Sequence, residues 1–283
     1  MNNWKIKLFI FKILSIFPER IGNLLYFFLQ NIKGSLNADS TLISTKETLK
    51  NFEKIISKDS NIDIKSVAEL GSGWFPSLPY ILVREKQIKK VESFDLNEFY
   101  SKGRIKSINK IYNLNSSNPN NLINEVKYHP YSDLSKVNLN KDINFMISRH
   151  VLEHIEPEII KNIHMNFINQ IGEHHVLHYV SPSDHRSYSD KSILLHDFLK
   201  YNEIEWQNLY TRFDYHNRLR LPEYRKIFLD LGYNIIYENY GKGKEGYISK
   251  FKKLNLDKRF LKYEDYENIA GNLIFFMKHN GRS

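Results

Sequence analysis

The sequence contains no cysteine. Disulfides and thiolate metal sites are therefore excluded, and the chain suits a reducing compartment. It also lacks an apolar run long enough to span a bilayer. Residues 8–17 are interrupted by Lys12 and stop at Pro18, short of the ~20 residues that a spanning helix needs. No small-residue cleavage site follows, so a signal peptide is not expected. No internal repeat is present. Acidic residues are the minority: 41 Lys+Arg face 32 Asp+Glu, a net charge of +9. That balance suits an anionic partner (nucleic acid, a phosphorylated lipid or glycan, an acidic membrane face) or simply a Lys-rich solvated surface. What the chain does have is a core. Hydrophobic residues at 41% and aromatics at 14% over 283 residues suffice for one large domain or two small ones and exclude wholesale disorder.

The first 33 residues mix aromatic and aliphatic side chains with Lys5, Lys7, Lys12 and Arg20. Two readings follow. One is a pair of helices packed on the domain, since apolar stripes at helical spacing are usually core. The other is an amphipathic segment, residues 4–33, lying on a membrane surface.

From Ser66 onward strands and helices alternate. "SVAELG", "KVESFDLN", "EVKYHPYSDL", "DINFMISRH" and "EHHVLHYV" read as five strands. "PSLPYILVREKQI" and "EPEIIKNIHMNFINQI" read as helices, with Pro76 tolerated in a first turn. The polar run 113–125 is a loop. After Pro182 regularity fails until "LPEYRKIFLDLGY", a helix, and two late strands, "YNIIYENY" and "GNLIFFMKH". Such alternation predicts a mostly parallel sheet covered on both faces. Ligands in such sheets bind beyond the carboxyl ends of the strands.

At the first of those ends stands "ELGSGWFP". Gly71 and Gly73 let the backbone turn sharply and approach a ligand closely. Asp95 closes the next strand, where a carboxylate accepts from a ribose diol. A dinucleotide site would want a third glycine at the start of a helix that receives pyrophosphate. Here Pro76 follows instead and has no N–H to donate. Glu69 adds a carboxylate, which favours a cation and opposes phosphate. A ribose-containing cofactor with a cation and no diphosphate suits these residues best.

"ELGSG", "FDLN" and "SRHVLEHI" together resemble the class I methyltransferases that use S-adenosylmethionine, over roughly residues 66–180. Phe75 departs from that family's pattern, standing where a third small residue is usual. The resemblance implies an α/β, Rossmann-like, mostly parallel seven-stranded sheet with helices on both faces, here preceded by an N-terminal helical segment. It implies that Glu69, Gly71 and Gly73 hold the methionine portion, that Asp95 holds the ribose, and that Asp133 lies near the adenine. Arg149 and His150 would line the cofactor's edge.

A competing motif shares the place. His150 to His154 matches His-x-x-Glu-His, which on a helix binds zinc with Glu153 as general base. The preceding strand puts His150 at a strand-to-helix turn, so no metal site is expected and a zinc hydrolase remains the minor alternative.

Methyl transfer to a hydroxyl needs alignment and removal of a proton. The expected base is His185 in "PSDHRSY", with Asp184 or Asp190 to orient it and His154 as a further choice. Tyr215, His216, Asn217, Arg218 and Arg220 in "FDYHNRLR" form the expected acceptor-binding cluster, combining aromatic faces with guanidinium forks. The arrangement from "SDH" to "EYRKIFLDLGY" resembles methyltransferases of bacterial surface-polysaccharide and lipopolysaccharide assembly.

The resulting expectation is an N-terminal helical segment over residues 1–40 and a methyltransferase domain over 41–283, with its acceptor region at about 184–220. The enzyme would be cytoplasmic or at the inner face of the membrane, and would O-methylate a sugar of a glycan or lipid-linked glycan. Alternatives are an RNA acceptor, with residues 250–259 contacting the backbone, a small-molecule acceptor, or a non-catalytic binding protein.

Overall fold

The structure, a computed structural model, describes residues 3–32, 37–114 and 118–281. Part of the expected loop 113–125 and the 33–36 stretch of the N-terminal segment lie outside those residues. Seven strands form one sheet: β1 Ser66–Leu70, β2 Val91–Phe94, β3 Val126–His129, β4 Ile143–Arg149, β5 Glu173–Val180, β6 Asn234–Gly241 and β7 Gly271–Asn280. Their order is β3-β2-β1-β4-β5-β7-β6. The first five pair in parallel, while β7 runs antiparallel to both β5 and β6. All seven strands expected from the sequence are present, in the Rossmann-like arrangement.

Twelve α-helices accompany them among the described residues: α1 Asn3–Ile16, α2 Glu19–Ile32, α3 Ala38–Leu49, α4 Phe52–Ile56, α5 Ser77–Arg84, α6 Lys102–Ile111, α7 Pro157–Ile171, α8 Arg186–Ser189, α9 Glu203–Gln207, α10 Leu221–Asp230, α11 Glu245–Phe251 and α12 Asp265–Ile269. The sheet is covered on both faces because successive strand residues point to opposite sides. Ala68, Met146 and Val176 pack with Ile160, Ile163 and Phe167 of α7 and Tyr224 and Phe228 of α10. Their neighbours Val67, Phe145, Ile147 and Leu177 pack with Leu42 and Leu49 of α3 and Leu78, Ile81 and Leu82 of α5. This double burial explains why the central strands read as continuous apolar runs.

The first core also contains a directed chain of hydrogen bonds. His174 Nδ1 donates to the Gly172 carbonyl (2.7 Å), so its Nε2 accepts from the Tyr233 hydroxyl (2.7 Å). Tyr233 in turn accepts from His164 Nδ1 (2.9 Å). His164 Nε2 then accepts from His178 Nε2 (3.2 Å), and His178 Nδ1 accepts from Ser148 (2.7 Å). Every ring nitrogen in the chain is used once, with all three imidazoles neutral.

The irregular region after β5 has its own small core: Phe198, Leu199, Trp206, Phe251, Phe260 and Ile269. Guanidinium groups are built into it. Arg218 lies over Trp206 and Phe260, at 5.3 and 5.5 Å, and Arg220 over Phe198 at 5.1 Å. Planar, weakly hydrated guanidinium stacks on aromatic faces in a way that lysine does not.

The helices α1 and α2 form a hairpin that packs on the domain. Its inner side docks: Phe11 and Leu14 are buried, and Phe11 and Tyr26 both meet Phe213. Gly22 allows the close crossing, because a Cβ there would come within 2.7 Å of the Leu14 carbonyl. Arg212 donates to the Phe17 carbonyl (3.0 Å) at the end of α1. Its outer side leaves Phe9, Ile13, Ile16, Phe17, Leu24 and Phe28 exposed. No helix among the described residues is long and apolar enough to cross a membrane.

Candidate functional site

The strand order reverses between β1 and β4, and a cleft of about 520 Å³ opens beyond their carboxyl ends. Gly71 leaves β1 at φ 77°, and a Cβ on it would collide with Val151. Gly73 follows at φ 63° with open space where a Cβ would stand. The first glycine is thus demanded by packing as well as by its backbone, and the second by its left-handed backbone alone. Phe75, the departure from the family pattern, is buried with Tyr80, Ile108 and Val126. It anchors the turn in a satellite core.

Asp95, at the end of β2, faces the cleft. One carboxylate oxygen accepts from the backbone (2.9 Å) and hydroxyl (3.2 Å) of Ser72, and the other from the backbone of Asn97 (2.9 Å). The two loops are therefore locked together, and each oxygen keeps lone-pair capacity toward the cleft. Asp95 is held above its ordinary pKa by burial.

Glu69 does not line the cleft. It is buried beneath it on β1 and hydrogen-bonded to Ser93. Burial, and then the nearby Asp95, push its pKa up to about 8, against the hydrogen bond from Ser93 and the charge of Arg149. Burial thus favours the protonated form of Glu69, whose expected place at the methionine portion lies beneath the cleft floor. Asp133, expected near the adenine, makes local contacts in the structure. It caps its own turn, accepting from the backbone (3.0 Å) and hydroxyl (2.6 Å) of Ser135 and pairing with Lys136 (2.9 Å).

Arg149 and His150 end β4 on the cleft. Arg149 donates to Ser44 (2.7 Å) and Thr48 (3.1 Å) of α3. His150 is left-handed at φ 55°, its N–H bonded to the Tyr179 carbonyl (2.7 Å). The opposite wall is aromatic. Tyr26 and Phe27 of α2, Trp74, Phe99, Phe213 and Tyr215 line it. Trp74 and Phe99 lie 4.6 Å apart, and Arg104 covers Trp74 at 4.8 Å. Glu19 and Asn23 of α2 complete the rim.

Of the expected acceptor residues, only Tyr215 reaches the cleft wall. Asn217 is a buried staple, its amide donating to the Leu152 (2.7 Å) and Ile155 (2.8 Å) carbonyls. Arg218 donates to the Phe198 and Tyr201 carbonyls and pairs with Glu203 at 2.7 Å. Arg220, fully buried, donates to the Arg218, Pro182 and Asn268 carbonyls. These are corrections with a common cause: the loop and its small core need the donors to satisfy inward-pointing carbonyls. Asp184 likewise forms a two-pronged pair with Arg186, accepting from Nε at 3.0 Å and from Nη2 at 2.6 Å on its two oxygens, and does not orient His185.

The His-x-x-Glu-His helix does not form. Leu152–His154 is a single 3₁₀ turn, and Glu153 is buried beneath it, accepting from the Ser181 N–H (3.2 Å) with its pKa pushed up to about 7 by burial. His154 meets His185 and His216 instead, with ring centroids 5.0 and 4.7 Å away, and those two are 4.0 Å apart. Burial, then His154 and Lys7, push His185 down to about 3. It is a neutral imidazole near neutral pH, with a weak pull on protons.

Sequence reasoning missed three contributors. The α2 side chains and Phe213 reach the cleft from remote parts of the chain and carry no local signal. The α3 hydroxyls that hold Arg149 sit on a helix whose buried face, Leu42, Thr45 and Leu49, was legible as a helical period.

No protein-family model and no curated protein matches this sequence. Solved structures similar to it include magnesium protoporphyrin IX methyltransferase from Synechocystis PCC 6803 with bound SAH, at TM-score 0.49 and 13% identity over 84% of each chain. A SAM-dependent methyltransferase from Methanosarcina mazei aligns at 0.48 and 12%, covering 81% of this chain and 98% of that one. Another, from Mesorhizobium loti, aligns at 0.46 and 10%, covering 81% and 97%.

Proposed function

We propose that the protein is a methyltransferase that uses S-adenosylmethionine and methylates a hydroxyl of a sugar, on a bacterial surface glycan or its lipid-linked precursor. The observation that carries the cofactor part is the juxtaposition of Gly73, open to the cleft, with Asp95 across the switch point. Asp95 would accept from the ribose diol, and Gly73 would leave room for the backbone of the ligand to pass. Arg149, expected at the cofactor's edge and held on hydroxyls, would meet the carboxylate of the methionine portion. The fit is chemical: a diol acceptor, a carboxylate donor and no phosphate cradle, since Pro76 precedes α5 and offers no N–H. When bound, the cofactor supplies an activated methyl group. The chain's own residues orient it, flank it with the aromatic wall, and align the acceptor oxygen.

The acceptor reading rests on the aromatic wall, which suits stacking on a sugar ring, and on the hairpin. The hairpin forms one wall of the cleft and also exposes Phe9, Ile16, Leu24 and Phe28 beside basic residues. A lipid-linked acceptor would present its sugar at such a surface. Calorimetry with S-adenosylhomocysteine tests the cofactor. Micromolar binding is expected, and Asp95→Ala should weaken it about 100-fold or more, the value of two hydrogen bonds to a charged group at about 1.5–3 kcal/mol each. Unchanged affinity in that variant removes the ribose assignment. Mass spectrometry of lipid-linked glycans incubated with enzyme and cofactor tests the acceptor by the gain of one methyl group.

A further inference from the structure

The set of His154, His185 and His216 comes from three separate parts of the chain: the 3₁₀ turn after β4, the loop before α8 and the loop before α10. Each offers one ring nitrogen, and the three nitrogens lie within 4.8 Å of one another. Two of the rings have their tautomer fixed from behind. His154 Nδ1 donates to the Tyr215 carbonyl (3.0 Å) and His216 Nδ1 to the Asp214 carbonyl (2.8 Å). Backbone carbonyls only accept, so Nε2 of each ring is left as a bare lone pair. This is the outer-shell pattern by which proteins aim imidazoles at a metal. His216 is 5% exposed, and its Nε2 is buried without a hydrogen-bond partner. A buried lone pair left in that state is costly unless something fills it.

The geometry points to a three-histidine site for a divalent metal of the zinc type, set beside the cleft through His154 and open at its fourth position to the acceptor oxygen. Neutral imidazole nitrogens suit zinc and its neighbours in the first transition row and do not suit magnesium or calcium. In a tetrahedral zinc site ligand nitrogens are about 3.3 Å apart, given Zn–N distances near 2.0–2.1 Å. The three rings must therefore close slightly around the ion.

The site deepens the proposed reaction and rests on that reading. A metal held there would lower the pKa of a coordinated acceptor hydroxyl toward neutrality. The acceptor O–H then releases its proton to water in the open cleft. The oxygen lone pair forms the new O–CH₃ bond, and the S–CH₃ bond breaks with its electrons staying on the sulfonium sulfur, which becomes a neutral thioether. Nothing is oxidised or reduced.

The test uses the full chain, stripped with chelator and titrated with cobalt(II). One equivalent should develop the intense visible bands of a four-coordinate site, and zinc(II) should bleach them. His154→Ala and His216→Ala should each lose the bands, with folding checked by circular dichroism, while His150→Ala keeps them. The weak spectrum of hydrated cobalt in the wild type, or full bands retained in both His154→Ala and His216→Ala, overturns the site. Homocysteine-cofactor affinity measured on the same stripped and loaded samples should not change. Intact cobalt bands without any such binding uphold the metal site and overturn the cofactor reading.

Discussion

At the residue scale, the glycine turn separates two demands that the sequence pattern conflates. Gly71 has a left-handed φ and Val151 against it, so Gly71→Ala strains the backbone and clashes. Gly73 has the same backbone demand, ~1–2 kcal/mol for a residue with a Cβ, and no neighbour. Thermal melts and calorimetry should therefore part the two variants. Gly71→Ala should lose much stability, whereas Gly73→Ala should lose ~1 kcal/mol and most of its cofactor affinity.

Glu69 is the other informative residue. Its folded pKa, about 8, lies above the ordinary 4.5. The folded state thus binds a proton that the unfolded chain has released, and the stability this contributes is lost as pH rises from about 4.5 through about 8. Glu69→Gln keeps a neutral, hydrogen-bonding group there. The melting temperature of that variant should fall less between pH 6 and 8.5 than that of the wild type; equal slopes would assign the loss elsewhere, for example to Glu153.

At the scale of elements, the histidine chain couples β5, α7 and the β4 strand end. Tyr233 is its middle, donating to His174 and accepting from His164. Tyr233→Phe leaves a buried donor and a buried acceptor unpaired, and chemical denaturation should show a loss of about 1–3 kcal/mol. Burial holds His178 near 3 and His174 near 4, with His164 depressed as well. Depressed histidines stabilise the fold above their ordinary pKa of 6.5, and that contribution is lost as pH falls toward the folded values. The protein should therefore destabilise steeply below about pH 6.

The strands were legible because double burial writes itself as apolar runs bounded by Gly, Pro and Asn. The region 184–220 was not. Arg218 and Arg220 look like ligand-binding groups in one dimension. In the fold they satisfy the carbonyls of a loop wrapped on aromatic rings, and no local period records which way such a side chain turns.

At the scale of the whole molecule, the hairpin links surface and site. It exposes several large apolar residues on one side and lines the cleft with Tyr26 and Phe27 on the other. With a net charge of +9, the chain should sediment with vesicles containing anionic lipid, less so at high salt. Deleting residues 1–34 should abolish that association. It should also weaken cofactor binding, since Trp74, Phe99 and Phe213 lose their partners on α2. Unchanged sedimentation removes the membrane reading.

By itself the sequence determined the sheet, the glycine turn at its switch point and the acidic end of β2. Each depends on neighbours within a few residues, through strand alternation, positive φ and a strand-end carboxylate. Only the tertiary structure decided which polar residues face the cleft, that Glu69 is buried beneath it, and that three histidines from separate loops converge. Burial and convergence are properties of chain segments far apart in sequence, brought together by packing. They set pKa values, free lone pairs and the shape of the site without leaving a local pattern to read.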